Sequence, residues 1–139
     1  MIIKYKKLDS SISDLQYAYS GDAGLDICAA ENTTLTPLQP VLINTGIKMD
    51  FPSGYVALIW DKSSLAFLGI HVLGGVIDSN YRGEIKVVLI NLTNKKINIQ
   101  KRQKIAQILL QKVEKMEMIE VEKLNLSSRE DKGFGSSGK

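Results

Sequence analysis

Asp78 is placed to serve as a general base. It follows two β-branched residues, Val76 and Ile77, which stiffen the chain and put the carboxylate at a strand end. Tyr81 and Arg82 lie within four residues of it, and Gly74, Gly75 and Gly83 flank it. Glycine lets backbone or ligand approach where a side chain would collide. A rigid carboxylate beside an aromatic ring and a backbone-lined slot can activate a water over a small planar ligand. The same residues also read as an ordinary Asp-Ser-Asn turn. Asp61-Lys62-Ser63-Ser64-Leu65 brings a cation and two hydroxyls to a strand-to-helix junction, where a helix N-terminus attracts anions. The plainer reading is a capped surface helix. Gln107 is a neutral polar residue inside an apolar run, so burial would require a backbone carbonyl or an ordered water as its partner. Asp26 follows a turn at Tyr19-Ser20-Gly21-Asp22 and falls inward or at an edge of the next strand.

Composition excludes much other chemistry. One histidine, His71, and one cysteine, Cys28, cannot build a zinc site, and they support no Ser-His-Asp or Cys-His arrangement. No Walker-type phosphate loop or dinucleotide fingerprint occurs. Cys28 sits in the apolar stretch Asp26-Ile27-Cys28-Ala29-Ala30 and reads as a buried, inert thiol. A net charge of +3 over 139 residues, with bases scattered among acids, gives no ground for a nucleic-acid partner. No apolar run approaches the length of a membrane span, and the N-terminus reads as a strand and not a signal peptide. These features point to a reducing, cytoplasmic setting.

The elements that must position these residues follow a period of two. Residues 2–5, 34–38, 41–47, 55–60, 85–92, 97–99, 105–113 and 116–121 read as strands, separated by turn signals rich in Gly, Pro, Ser and Asn. Residues 74–84 read as the connection of a hairpin between two apolar runs. Residues 63–68 make the best short helix, capped by a serine and ended by Gly69. Many short strands at this spacing predict an all-β barrel or sandwich of one domain, residues 1–126. Seven of the last thirteen residues are Ser or Gly, so residues 127–139 cannot build core. They read either as a frayed terminus or as an arm that orders over a ligand, with Phe134 as a stacking ring.

Taken together, five segments resemble, in order, the motifs of the homotrimeric dUTP pyrophosphatase (dUTPase) family. They are Asp22-Ala23-Gly24-Leu25-Asp26-Ile27, Asp61-Lys62-Ser63-Ser64-Leu65-Ala66, Gly75-Val76-Ile77-Asp78-Ser79-Asn80-Tyr81-Arg82-Gly83-Glu84, Arg102-Gln103-Lys104-Ile105-Ala106-Gln107-Ile108, and the stretch from Arg129 to Gly138. The resemblance implies a jelly-roll-like β-barrel with a flexible C-terminal arm, and trimers with active sites at subunit interfaces. It implies hydrolysis of dUTP to dUMP and pyrophosphate, which lowers dUTP and supplies dUMP for dTMP synthesis. Asp78 would be the base for a water attacking the α-phosphorus, and Gln107 would help to hold that water. Backbone groups of Gly75, Val76 and Ile77 would read uracil, and Tyr81 would pack on the deoxyribose. Lys62, Ser63 and Ser64 would contact phosphates. Arg129, Gly135, Ser136 and Ser137 would clamp the terminal phosphate, and Phe134 would stack on the base. Mg²⁺ would be held mainly by the triphosphate, with no direct protein ligand and with Asp26 near its water shell.

Departures from the family pattern are also visible. Lys62 replaces a frequent arginine, which keeps the charge but loses the two-pronged geometry. Asp61 adds a negative charge beside it. Arg102, Gln103 and Lys104 stand where glycine, aspartate and arginine are frequent. Glu130 follows the fifth-motif arginine in place of glycine, and Ser137 replaces a common threonine. Two alternatives stay open. One is a related dCTP deaminase, which would need a catalytic glutamate near Val88. The other is a non-enzymatic trimeric nucleotide sensor or partner-binding protein.

Overall fold

Alternation of apolar and polar residues pairs the chain into two packed sheets. The computed structural model describes residues 1–128; the expected arm residues Arg129, Phe134, Gly135, Ser136 and Ser137 lie outside that range. The strands are β1 (Lys4–Lys7), β2 (Leu25–Cys28), β3 (Thr33–Leu35), β4 (Pro40–Asp50), β5 (Tyr55–Asp61), β6 (Ile70–Leu73), β7 (Val76–Asp78), β8 (Ile85–Asn91), β9 (Ile97–Ile99) and β10 (Lys104–Lys112). One short helix, α1 (Ser63–Phe67), joins β5 to β6. The first sheet has the order β1-β4-β8-β6 and the second β2-β10-β5-β7, while β3 and β9 form a two-stranded ribbon. This is the all-β architecture that the strand pattern predicts, in the jelly-roll-like form that the family resemblance implies. The named strands all pair antiparallel.

The core lies between the sheets. Ile43, Ile47, Ile85, Val87 and Leu89 fill it from the first sheet, and Ile27, Ala57, Ile59, Ala106 and Ile108 from the second. Burying each isoleucine contributes roughly 1.5–3 kcal/mol, so these positions decide which face of each strand turns inward. On β5 that choice leaves Val56, Leu58 and Trp60 on the outer face and Ala57, Ile59 and Asp61 on the inner one.

Three expectations change. Lys62, not a serine, is the N-cap of α1, and no side chain caps it; Gly69, with φ of +81°, does end the helix. Residues 116–121 form no strand, because their alternating apolar residues find no partner strand within the described chain: Met116 is 79% exposed and Met118 83%. Beyond β10, residues 113–128 hold no helix or strand. The first strand is shifted two residues onward, to Lys4–Lys7, where it pairs with β4.

The connection at residues 74–84 is more than a hairpin loop. Its flanking strands β6 and β8 do pair antiparallel, Leu73 opposite Val88. Between them the chain leaves the first sheet, and β7 adds to the edge of β5 in the second. Gly75 (φ +103°) makes the crossing, and its carbonyl accepts the Ile59 N–H at 2.8 Å. The return is anchored by Glu84, whose Oε1 accepts the N–H of buried Gly46 at 2.7 Å, where the β4–β8 register slips. Removing that acceptor strands a buried donor. Glu84→Ala should therefore lower stability by about 2 kcal/mol and Glu84→Gln by less than about 1 kcal/mol, read from chemical denaturation midpoints.

Candidate active site

The outer face of the second sheet collects the charged and polar residues singled out above, in two groups. The first centres on Asp26 of edge strand β2. Lys62 Nζ donates to its Oδ1 at 2.8 Å, and Lys104 Nζ meets its Oδ2 at 2.6 Å. A register shift in the β10–β2 ladder between Lys104 and Ala106 turns Lys104 toward that carboxylate. Burial pushes the Asp26 pKa up, but the hydrogen bonds and charges of Lys104 and Lys62 outweigh it and hold the carboxyl below its usual range. The hydrogen bond that Lys104 donates to Asp26 raises the Lys104 pKa correspondingly. At neutral pH this cluster is one anion between two cations.

Gln107 belongs to the same group, directly across the ladder from Asp26 on one side and from Trp60 on the other. Its Nε2 donates to the Asp61 backbone carbonyl at 2.8 Å, so a backbone carbonyl is a partner of its amide nitrogen. Its Oε1 lies where a methyl group at Gly24 would overlap it. The glycine of the first segment therefore makes room for the glutamine of the fourth. Trp60, the only tryptophan in the chain, is 57% exposed beside it. Ser63 and Ser64 open α1 next to Lys62 and are exposed.

The second group is the β7 turn. Asp78 ends β7, exposed, and its carbonyl accepts the Tyr81 N–H at 3.0 Å. The Tyr81 ring folds back over Gly83, where any side chain would collide with it, and its hydroxyl donates to the Glu84 carbonyl at 2.9 Å. Arg82 braces the turn from outside, donating to the Ser79 carbonyl at 2.7 Å and pairing with Asp50. The close approach expected at Gly83 is thus satisfied by the tyrosine itself. An open cavity of about 1070 Å³ adjoins Asp78, lined also by Lys4, Ser53, Asn80 and Lys115.

These two groups do not meet within one chain. Asp78 pairs with Val56 and Gln107 with Trp60, on opposite edges of β5. Four residues of strand rise put them about 13 Å apart along β5, and two strand spacings add about 10 Å across it. Three residues differ from their sequence reading or escape it. Asp61, read as a charge beside Lys62, turns its carboxylate toward β6 and accepts the Val72 N–H at 2.6 Å beside His71. Lys104, three residues before Gln107, joins the Asp26 cluster; its position in a strand before a polar residue is the one signal of this in the sequence. Arg102 takes a left-handed φ of +68°, the geometric reason a glycine suits that position, and its Nε compensates by donating to the Ser11 carbonyl at 3.1 Å. Among the described residues no three His, Cys, Asp or Glu side chains are grouped to hold a metal, and no helix is long and apolar enough to cross a membrane. Strand β8 carries Lys86 as its only ionisable residue, so it has no glutamate for deamination.

Comparison with known proteins converges on one family. A family model described as dUTPase matches residues 10–138. The deoxyuridine 5'-triphosphate nucleotidohydrolase of Hydrogenobaculum sp. (strain Y04AAS1) is 43% identical over 142 residues, covering 99% of each chain. That of Trichodesmium erythraeum (strain IMS101) is 42% identical over 141 residues, again with 99% of each chain covered. Among solved structures, the dUTPase of Staphylococcus bacteriophage 80alpha with dUPNHPP superposes with a TM-score of 0.90 at 27% identity, over 99% of both chains. A mutant dUTPase from phage phi11 of S. aureus, which reveals the coordination of a structural Mg(II) ion, reaches a TM-score of 0.84 at 20% identity, a likeness of fold alone. It covers 91% of this chain and 100% of that one. With the family model spanning nearly all of its length and relatives matching it end to end, the chain belongs to the dUTPase family.

Proposed function

We propose that dUTP hydrolysis, the activity of the family, runs here through a water activated by Asp78 that attacks the α-phosphorus, at sites built between copies of a homotrimer. The observation that carries this reading is the separation of Asp78 from Gln107 on opposite edges of β5. A base and a water-holding group must come within hydrogen-bond reach of one water. The two residues satisfy that only when the β7 turn of one copy faces the Asp26–Gln107 group of another.

In the assembled site Asp78 takes the proton of the attacking water. Gln107, its amide nitrogen held by Asp61, presents its oxygen to that water. Lys62, Ser63 and Ser64 bind phosphate oxygens, and the triphosphate competes with Asp26 for the Lys62 ammonium. Backbone groups of Gly75, Val76 and Ile77 read the uracil edge, and Tyr81, fixed over Gly83, packs on the sugar where a 2′-hydroxyl would collide. Arg129, Phe134, Gly135, Ser136 and Ser137, outside the described residues, complete the site by closing over base and terminal phosphate. Asp26, with a lysine on each oxygen, fits a supporting role at the edge of a metal's water shell and not direct ligation. Mg²⁺ carried by the triphosphate would offset its charge as negative charge develops at phosphorus. Of the products, dUMP would feed dTMP synthesis.

Product analysis with dUTP, dCTP and Mg²⁺ tests the reaction: dUMP and pyrophosphate should form from dUTP, and dCTP should stay unchanged. Asp78→Asn should lower kcat by at least about a hundredfold while KM moves little. Subunit mixing tests the shared site. Asp78→Asn and Gln107→Ala trimers, each weak alone, should on reassembly in equal parts recover about a quarter of wild-type activity, the chance that a site draws one intact residue from each copy. No recovery would place both residues in one chain's site and sink the shared-site reading.

A further inference from the structure

Asp61 does three things at once. It is the last residue of β5 and stands on the inner face, so its carboxylate crosses from the second sheet to the first. There Oδ1 accepts the Val72 N–H at 2.6 Å and Oδ2 meets His71 Nδ1 at 2.7 Å. Its backbone carbonyl accepts Gln107 Nε2 at 2.8 Å. Its peptide continues directly into Lys62, which is paired with Asp26. A strand end is free to shift unless something outside its own ladder fixes it. Here the fixing group and the carbonyl that aims Gln107 belong to the same residue.

We propose that Asp61, seconded by His71, is a positioning residue for the hydrolysis, acting through Gln107; this rests on the reading of Gln107 as the group that holds the attacking water. The carboxylate anchors the end of β5 to β6. The anchored carbonyl takes one donor of the carboxamide and so fixes which way its oxygen points, toward the space that Gly24 leaves open. A loosened strand end lets that carbonyl move, and the oxygen moves with it.

The test is a double-mutant cycle on the full chain, with kcat and KM for dUTP and thermal midpoints recorded for each variant. Asp61→Ala should lower kcat about tenfold, the scale of a displacement of roughly an ångström at a reacting group. In a Gln107→Ala background the same change should lower kcat by less than about twofold, since the group it positions is gone. Asp61→Asn keeps an oxygen for the Val72 N–H and a polar partner for His71, and should recover most of the loss. If Asp61→Ala folds poorly, His71→Ala carries the same cycle from an exposed side chain, with an expected loss of about threefold that also vanishes without Gln107. An equal loss in both backgrounds would overturn the inference and leave the role of Gln107 standing. Wild-type kcat in Gln107→Ala alone would overturn both.

Discussion

A strand in the interior of a sheet has two hydrogen-bonding edges, and what binds one edge cannot be reached from the other. Strand β5 is such a strand, with β10 along one edge and β7 along the other. The arrangement of the candidate site residues follows from this. Asp26, Lys104 and Gln107 come in on the β10 side, and Asp78 and Tyr81 on the β7 side. Because side chains alternate, Asp78 and Gln107 share the outer face even though they stand far apart on it. The core fixes that parity: Ala57 and Ile59 are buried, so their neighbours Val56, Leu58 and Trp60 must face out.

The outer face also solves a charge problem. Two ammonium groups close together repel, and each would be poorly placed if left free. Asp26 holds one on each oxygen, in a side chain only 12% exposed. Arginines would have filled such a place with planar, pre-organised forks; lysines need an outside template to stand in a fixed direction. Asp26 supplies it. The two lysines and the aspartate between them form one unit, in which the anion sets the direction of each cation.

Much of this arrangement is legible in the amino-acid sequence. Strand positions on β4, β5, β8, β9 and β10 follow from alternation, because burying an isoleucine or leucine sets the face of each strand with little ambiguity. The positions of Asp78, Gln107 and Lys62 on a strand end, a strand and a helix start are likewise visible. Alternation says nothing of where a partner strand lies, and residues 116–121 alternate without one in the described chain. Nor does it reveal contacts between sheets. Asp61 looks like an extra charge beside Lys62 because neighbours in sequence are the only neighbours a sequence displays. Its true partners, Val72 and His71, lie ten or more residues away on the other sheet. Asn91 shows the same limit: it is a polar residue at the end of β8, yet it is fully buried, with its amide donating to the carbonyls of Leu35 and Lys95. Glycine marks places of close approach in both readings, but the group that approaches Gly83 is the neighbouring tyrosine.

Trp60 gives this architecture an optical consequence. The chain has one indole, and the fold sets it on the outer face across the ladder from Gln107, more than half open to solvent. Indole emission depends on how much water surrounds the ring. Any event that covers this flank of β5 therefore changes the colour of the protein's own fluorescence, while events confined to the core leave it alone. Without a label, the molecule carries a single-site reporter on the face that bears Asp26, Gln107 and Asp78.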